Sequence, residues 1–209
     1  MNLAVITVRS NSTRLPDKFS LDILGKPMMV RVYEQVRKSK HLHMVVVACP
    51  FNDYKVIDLC KEYDIPYYEG SENDICSRLC LCAKNYLADW VVRIWGDSPL
   101  VDPDTIDDIL KKTIDNNGDY SFTMGVPLGQ MVSVIKYSVL EECNNKLKNQ
   151  EDREWFHNYF AENKSTYKVD GCAHEPDRSF VNLSVDTEDD LNRIRKIMRL
   201  QEIVGSKRR

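Results

Sequence analysis

The chain lacks any long apolar run. Its first hydrophobic stretch, Leu3 to Val8, gives way to a polar loop, so neither a membrane-spanning helix nor a secretory leader is expected. An excess of one charge is missing too. The balance of 29 Lys and Arg against 32 Asp and Glu leaves a formal net charge of −3, which offers no basic footprint for nucleic acid. Phosphate binding then falls to local groups of cations. Eight Gly and eight Pro are too few for a fibrous or low-complexity chain. Seven cysteines cannot all pair with one another, and a reducing, cytoplasmic setting is the simpler expectation. Cys76, Cys80 and Cys82 have no second Cys or Cys/His pair at zinc spacing, so they are expected as small buried thiols on the core side of a helix. The four histidines form no His-x-x-x-His pair. Glycine-rich phosphate fingerprints are absent as well. The loop after the first apolar run is neither a Walker loop nor a G-x-G-x-x-G turn, which argues against P-loop NTPases and dinucleotide dehydrogenases.

What is present is a strand and helix alternation. With 43% hydrophobic residues, the 209-residue chain has enough apolar material for a substantial core. The continuous β-prone runs Leu3–Val8, His43–Cys49, Pro66–Glu69 and Trp90–Trp95 predict strands, the longer ones buried on both faces. Between and after them, helical spacing predicts helices over Pro27–Val36, Asp53–Tyr63, Asn73–Leu87 and Asp102–Asn116. This order predicts an α/β fold, with a mainly parallel sheet covered by helices on both faces. Beyond Asn117 the rhythm loosens. Strands are expected over Tyr120–Met124, Met131–Lys136, Tyr167–Asp170 and Phe180–Val185, and helices over Ser138–Lys146, Glu151–Asn163 and Thr187–Val204. No linker or repeat divides the chain, so one domain over residues 1–209 is expected, with Ser206–Arg209 a frayed tail.

In open α/β sheets, ligands bind beyond the carboxyl ends of the strands. Two features fall there. The loop after the first strand carries Arg9, Arg14 and Lys18 among hydroxyl-bearing residues, a composition suited to a polyphosphate or to an ordinary solvated turn. Asp97 ends the fourth strand on the same edge, where a carboxylate can hold Mg²⁺. Its candidate partner is Asp186, which follows the strand expected over Phe180–Val185; an N-cap role is the alternative for this residue.

Four segments together carry a family resemblance. The loop Arg9, Ser12, Thr13, Arg14, Leu15, Pro16 and Lys18, then Gly25-Lys-Pro-Met28, Gly96-Asp-x-Pro-Leu100 and Val185-Asp-Thr-x-x-Asp-Leu191, resemble the CTP-dependent cytidylyltransferases that activate acylneuraminate and Kdo sugars. Gly70-Ser-Glu-Asn-Asp-Ile-Cys-Ser-Arg78, Arg93-Ile-Trp-Gly-Asp and Arg153-Glu154 are similar to the spore-coat polysaccharide biosynthesis protein F branch. The resemblance implies a Rossmann-like, glycosyltransferase-A-like fold. It also implies transfer of CMP from CTP to an acidic sugar or related acceptor, with release of pyrophosphate. By that resemblance Arg9, Arg14 and Lys18 hold the triphosphate with Ser12, Asp97 and Asp186 hold Mg²⁺, and Ser71 and Arg78 contact cytosine or ribose. For these last two, an exposed helix start and an ordinary surface arginine are the alternative.

Several positions depart from the branch. Asn11 and Asp17 stand where it commonly has Gly, and Asp17 adds a negative charge between the proposed phosphate cations. Trp95 replaces a smaller residue and is expected to fill the core, with stacking on a base as the alternative. The acceptor segment Gly125–Ser133 is short and has Gln130 or Ser133 in place of an acidic residue. Three other readings follow: a phosphate or phosphonate acceptor, another nucleobase, and a catalytically silent nucleotide-binding or assembly subunit. Expected partners are CTP and a small acidic acceptor, without nucleic acid or membrane insertion, and a homodimer as in relatives.

Overall fold

The structure, a computed structural model, describes residues 1–206 and their side chains through Val204. In chain order it comprises β1 (Asn2–Thr7), a 3-10 turn (Lys18–Ser20), the hairpin strands β2 (Asp22–Ile23) and β3 (Lys26–Pro27), α1 (Met28–Val36), β4 (Met44–Pro50), α2 (Tyr54–Glu62), β5 (Tyr67–Gly70), α3 (Ile75–Asn85), β6 (Trp90–Trp95) and α4 (Pro103–Asp115). The second half adds β7 (Tyr120–Met124), β8 (Ser133–Lys136), α5 (Tyr137–Lys146), α6 (Gln150–Glu154), α7 (His157–Glu162), β9 (Val169–Ala173) and α8 (Glu188–Ser206). Seven strands form one sheet in the order β5-β4-β1-β6-β8-β7-β9, and only β8 runs antiparallel to its neighbours. This is the mostly parallel α/β sheet that the strand and helix alternation predicts.

Alternation along β1 explains why the sheet needs cover on both faces. Ala4 and Ile6 pack with Val32 and Val36 of α1, Val56 of α2 and Ile106 and Leu110 of α4. Leu3 and Val5 face the other way, onto Leu79 and Ala83 of α3, Leu140 of α5, and Phe156 and Phe160. Each buried Val, Leu, Ile or Phe among them contributes about 1.5–3 kcal/mol by leaving water. A third cluster joins Ile23 and Met28 to Leu191, Ile194 and Met198 of α8, tying the end of the chain back to the hairpin near its start. Among the described residues no helix is long and apolar enough to cross a membrane. All seven cysteines are free and buried, and Cys76, Cys80 and Cys82 lie in the core as expected.

Local chemistry sets the helix starts. Asp74 caps α3 by accepting from the Ser77 amide at 2.8 Å, and Asp102 caps α4 ahead of Pro103. The turn of the hairpin is Leu24-Gly25, both at positive φ (53° and 84°), and Asp22 accepts from the Gly25 amide.

The second half departs from the expected elements. Phe180 ends a turn, and the segment after it up to Val185 joins the sheet by no ladder; it makes one isolated bridge, Asn182 with Leu128. Its direction explains why: the segment passes over the end of β6, where the Val185 amide donates to Asp97 O at 3.0 Å. The helix expected over Glu151–Asn163 breaks at Trp155 into α6 and α7. Arg153 is held from below by Asp74, Asn144 and Leu147, while Phe156 and Phe160 descend into the core, and one straight helix does not satisfy both demands. The strand expected over Tyr167–Asp170 lies at Val169–Ala173, paired with β7. Of the expected frayed tail, Ser206 ends α8 and residues 207–209 lie outside the described residues.

Candidate active site

The parallel strands β1, β4, β5 and β6 end on one edge, and the loops after β1, β5 and β6 surround a cavity of about 320 Å³. Close backbone approach builds it. Gly96 donates to Thr7 O at 3.1 Å, and a Cβ at this position would stand 2.8 Å from that oxygen, so the turn carrying Asp97 reaches the β1 loop only with glycine here. On the opposite wall, a Cβ at Gly70 would lie 2.7 Å from Arg78 Cγ; glycine gives that side chain its path across the end of β5.

The acidic and basic residues meet at the rim. Lys18, on the 3-10 turn, donates from Nζ to Asp97 Oδ2 at 2.9 Å, to Asp186 Oδ1 at 3.0 Å and to Val185 O at 3.1 Å. Arg14 Nη2 reaches the same Asp186 oxygen at 2.9 Å. These are largely covered groups, with Lys18, Asp97 and Asp186 side chains 18%, 24% and 22% exposed, so the ion pairs are less screened than ordinary surface pairs. Asp186 is not the cap of α8. Thr187 takes that role, its Oγ1 accepting from the Asp190 amide, while Asp190 in turn accepts from the Asp186 and Thr187 amides and fixes the turn. Burial acts to raise the Asp190 pKa, but hydrogen bonds from Arg193, Thr187 and these amides outweigh it and hold the carboxyl below its ordinary value.

Two carboxylates that share one ammonium also converge on a space that one small cation can share. Their donor set is hard oxygen, which suits Mg²⁺ or Mn²⁺, metals that keep several waters and take phosphate oxygens as remaining ligands. Among the described residues no group of three His, Cys, Asp or Glu side chains is placed for a metal. The site therefore fits a metal shared with a phosphate ligand and does not fit a closed structural metal centre.

Of the residues singled out from sequence, Arg9, Ser12, Arg14, Lys18, Arg78 and Asp97 line the cavity; Ser71 and Asp186 do not, and Asp186 meets the lining only through its ion pairs with Lys18 and Arg14. Arg78 is no surface arginine: it is 2% exposed. Burial lowers its pKa, and the neighbouring Arg9 lowers it further. Trp95 lines the cavity, half-buried, where a core position is expected from sequence. Asp17 is turned outward. It takes the left-handed conformation (φ 50°) that Gly adopts freely, and its carboxylate is held by Lys55 Nζ at 2.8 and 2.9 Å, outside the cavity lining. Gln130 and Ser133 also stand away from the cavity: Gln130 donates to Leu100 O at 2.8 Å and Ser133 is buried in β8.

Sequence reasoning assigned no separate role to Arg93, Gln150, Glu154 and Trp155, which complete the cavity wall. Arg93 had a visible signal, a cation inside an otherwise apolar strand. It is 4% exposed, with its Cζ 4.7 Å from the Trp95 ring centroid and 5.2 Å from that of Phe156. Burial pulls its pKa down to about 10.

A cation-lined cavity at the carboxyl edge of a mostly parallel sheet, with two acidic residues at its rim, defines a nucleotide-handling α/β protein. The chain belongs to the cytidylyltransferase family, which it matches over residues 3–198. It is 30% identical over 168 residues to 3-deoxy-manno-octulosonate cytidylyltransferase of Chloroherpeton thalassium, spanning 78% of this chain and 65% of that protein, just under two thirds of its length. It is 24% identical over 208 residues to spore coat polysaccharide biosynthesis protein SpsF of Bacillus subtilis, covering 93% and 85% of the two chains. A cytidylyltransferase structure from Leptospira borgpetersenii superposes with a TM-score of 0.85 at 28% identity, over 90% of this chain and 82% of that one.

Proposed function

We propose that this cytidylyltransferase moves the CMP group of CTP onto an oxygen of an acidic sugar, in the biosynthesis of a surface glycan. The observation that carries the reading is Lys18 held between Asp97 and Asp186 at the rim of an arginine-lined cavity. Arg9, Arg14 and Lys18, with Ser12, hold the triphosphate, and Arg78 reaches the nucleoside. Ser71 stands outside the cavity lining and keeps no contact role in this reading. The acceptor oxygen forms a bond to the α-phosphorus while the bond from that phosphorus to the bridging oxygen of the β-phosphate breaks. Pyrophosphate leaves with the electron pair, and the acceptor proton passes to solvent. Positioning and neutralisation of charge on the leaving group supply most of the acceleration. Asp97 and Asp186 would hold Mg²⁺, which supplies charge neutralisation on the phosphates and acidifies the acceptor hydroxyl. Lys18, now bound to both carboxylates, would be free to turn to the phosphates with Mg²⁺ in place.

The chain works as one domain over residues 1–209, a reading supported by the family match and by three apolar clusters built around or against one sheet. Seven unpaired thiols support a cytoplasmic setting. Exposed Met124, Leu128 and Phe180, on segments that hydrogen-bond to one another, support a homodimer, which light scattering tests. The silent-subunit reading keeps only its second motive, the altered acceptor segment, because Asp17 is paired with Lys55 away from the cavity. The experiment is pyrophosphate release with Mg²⁺ and 3-deoxy-manno-octulosonate, N-acetylneuraminate or a phosphorylated sugar as acceptor, comparing CTP with UTP, ATP and GTP. Release that needs CTP and an acid sugar supports the reading; release with the phosphorylated sugar alone replaces the acceptor class.

A further inference from the structure

Two arginines at the floor of the cavity are buried without hydrogen-bond partners on most of their named donors. Arg78 and Arg93 are 2% and 4% exposed, and in each the Nε and Nη1 atoms are covered and unpartnered. Buried guanidinium donors are normally satisfied, so this arrangement is costly unless an anion completes it. The two are close enough that each is felt by its neighbours: Arg9 lowers the pKa of Arg78, and Arg78 that of Arg93. Glu72 and Glu154 line the same cavity and oppose part of that charge, yet neither bonds the four unpartnered nitrogens.

We propose that Arg93, next to the Arg78 that reaches the nucleoside, is a carboxylate subsite that takes the acid group of the acceptor, separate from the triphosphate cations of the β1 loop. Place and solvation select this ligand. Arg9 and Arg14 are exposed, so a polyphosphate they hold keeps much of its water. Arg93 lies deeper, on the face of β6 that looks toward the wall of Gln150, Glu154 and Trp155, with two aromatic rings against it. A singly charged carboxylate sheds its water there far more readily than a multiply charged phosphate, and it matches the guanidinium fork in two parallel hydrogen bonds. The acceptor's identity rests on the cytidylyltransferase reading; the existence of the subsite does not.

The test is calorimetric titration of the full chain and its Arg93→Met and Arg93→Lys variants with pyruvate, with orthophosphate and, in parallel, with CTP and Mg²⁺. Pyruvate is expected to bind the wild-type protein and to lose about tenfold or more in both variants, because Lys keeps the charge but not the fork. CTP affinity stays within about threefold. A second readout needs no ligand: Arg93→Met raises Tm, since it removes an unpartnered buried cation and keeps an unbranched apolar stem. The proposal is overturned if pyruvate fails to bind the wild-type protein, if both variants bind it unchanged, or if CTP affinity falls as far as pyruvate affinity. It is overturned equally if orthophosphate depends on Arg93 more than pyruvate does, which makes the pair part of the phosphate cradle. Absence of CTP binding by the wild-type protein, with Arg93-dependent pyruvate binding kept, sinks the enzymatic reading and leaves the subsite standing.

Discussion

Asp97 and Asp186 grip the same ammonium: Lys18 Nζ lies 2.9 Å from one carboxylate and 3.0 Å from the other. The contact joins the end of β6, the loop after β1 and the turn before α8, so three distant pieces of chain set one geometry.

Removing that ammonium exposes two like charges to each other. Lys18→Met is expected to lower stability by about 1–3 kcal/mol in metal-free buffer, to tighten Mg²⁺ binding by the free protein, and to weaken CTP. Thermal melts with and without Mg²⁺, and calorimetry with Mg²⁺ alone, read the first two effects. Unchanged Mg²⁺ affinity contradicts the shared site.

Loss of one carboxylate acts in the opposite sense. Asp186→Asn keeps the shape and removes a metal oxygen of full charge, so Mg²⁺-dependent pyrophosphate release is expected to fall by about 100-fold with the melting curve little changed. Turnover that survives in both Asp186→Asn and Asp97→Asn contradicts a two-carboxylate site.

Asp17 is expected to be a bystander. Asp17→Gly suits its left-handed backbone and removes a pair with Lys55 that is exposed on both sides, so CTP affinity should stay within about threefold. A large gain in CTP affinity would restore the charge to the phosphate site.

Asp107 gives a pH signature remote from the cavity. Burial raises its pKa, but the amides of Lys40 and His41 and the hydroxyl of Ser39 donate to it and win, so its pKa in the folded protein is lowered. A depressed carboxyl stabilises the fold above its unfolded pKa, and that stability is lost as pH falls through the folded pKa. Asp107→Asn therefore destabilises at neutral pH by about 1–3 kcal/mol, and the gap to wild type closes in acid. A gap that does not depend on pH contradicts this assignment.

The parts of this architecture that were legible in sequence are those written in contiguous residues. Val5 and Ile6 in an unbroken apolar run, Asp102-Pro103 at a helix start and Gly96-Asp97 after a strand each carry their own local signal. Features that depend on tertiary contact were not legible. The kink at Trp155 exists because Arg153 is tied to Asp74 at 2.7 Å, and the Phe180–Val185 segment fails to become a strand because it crosses over β6 to deliver Asp186. Arg93 and Arg153 stood out as motif residues. Only the fold separates them, one with unpartnered donors in the cavity and the other satisfied by four hydrogen bonds outside it.

The most direct measurement is the thermal shift of the wild-type protein and Asp186→Asn with CTP, UTP, ATP and GTP, each with and without Mg²⁺. A ligand at 100 times its Kd adds about 2.7 kcal/mol to a fold that alone binds it. The expected result is a rise in Tm that is largest for CTP with Mg²⁺ in the wild-type protein and loses its Mg²⁺ dependence in Asp186→Asn. Equal shifts for all four nucleotides, or none, would contradict a CTP site built on Lys18, Asp97 and Asp186.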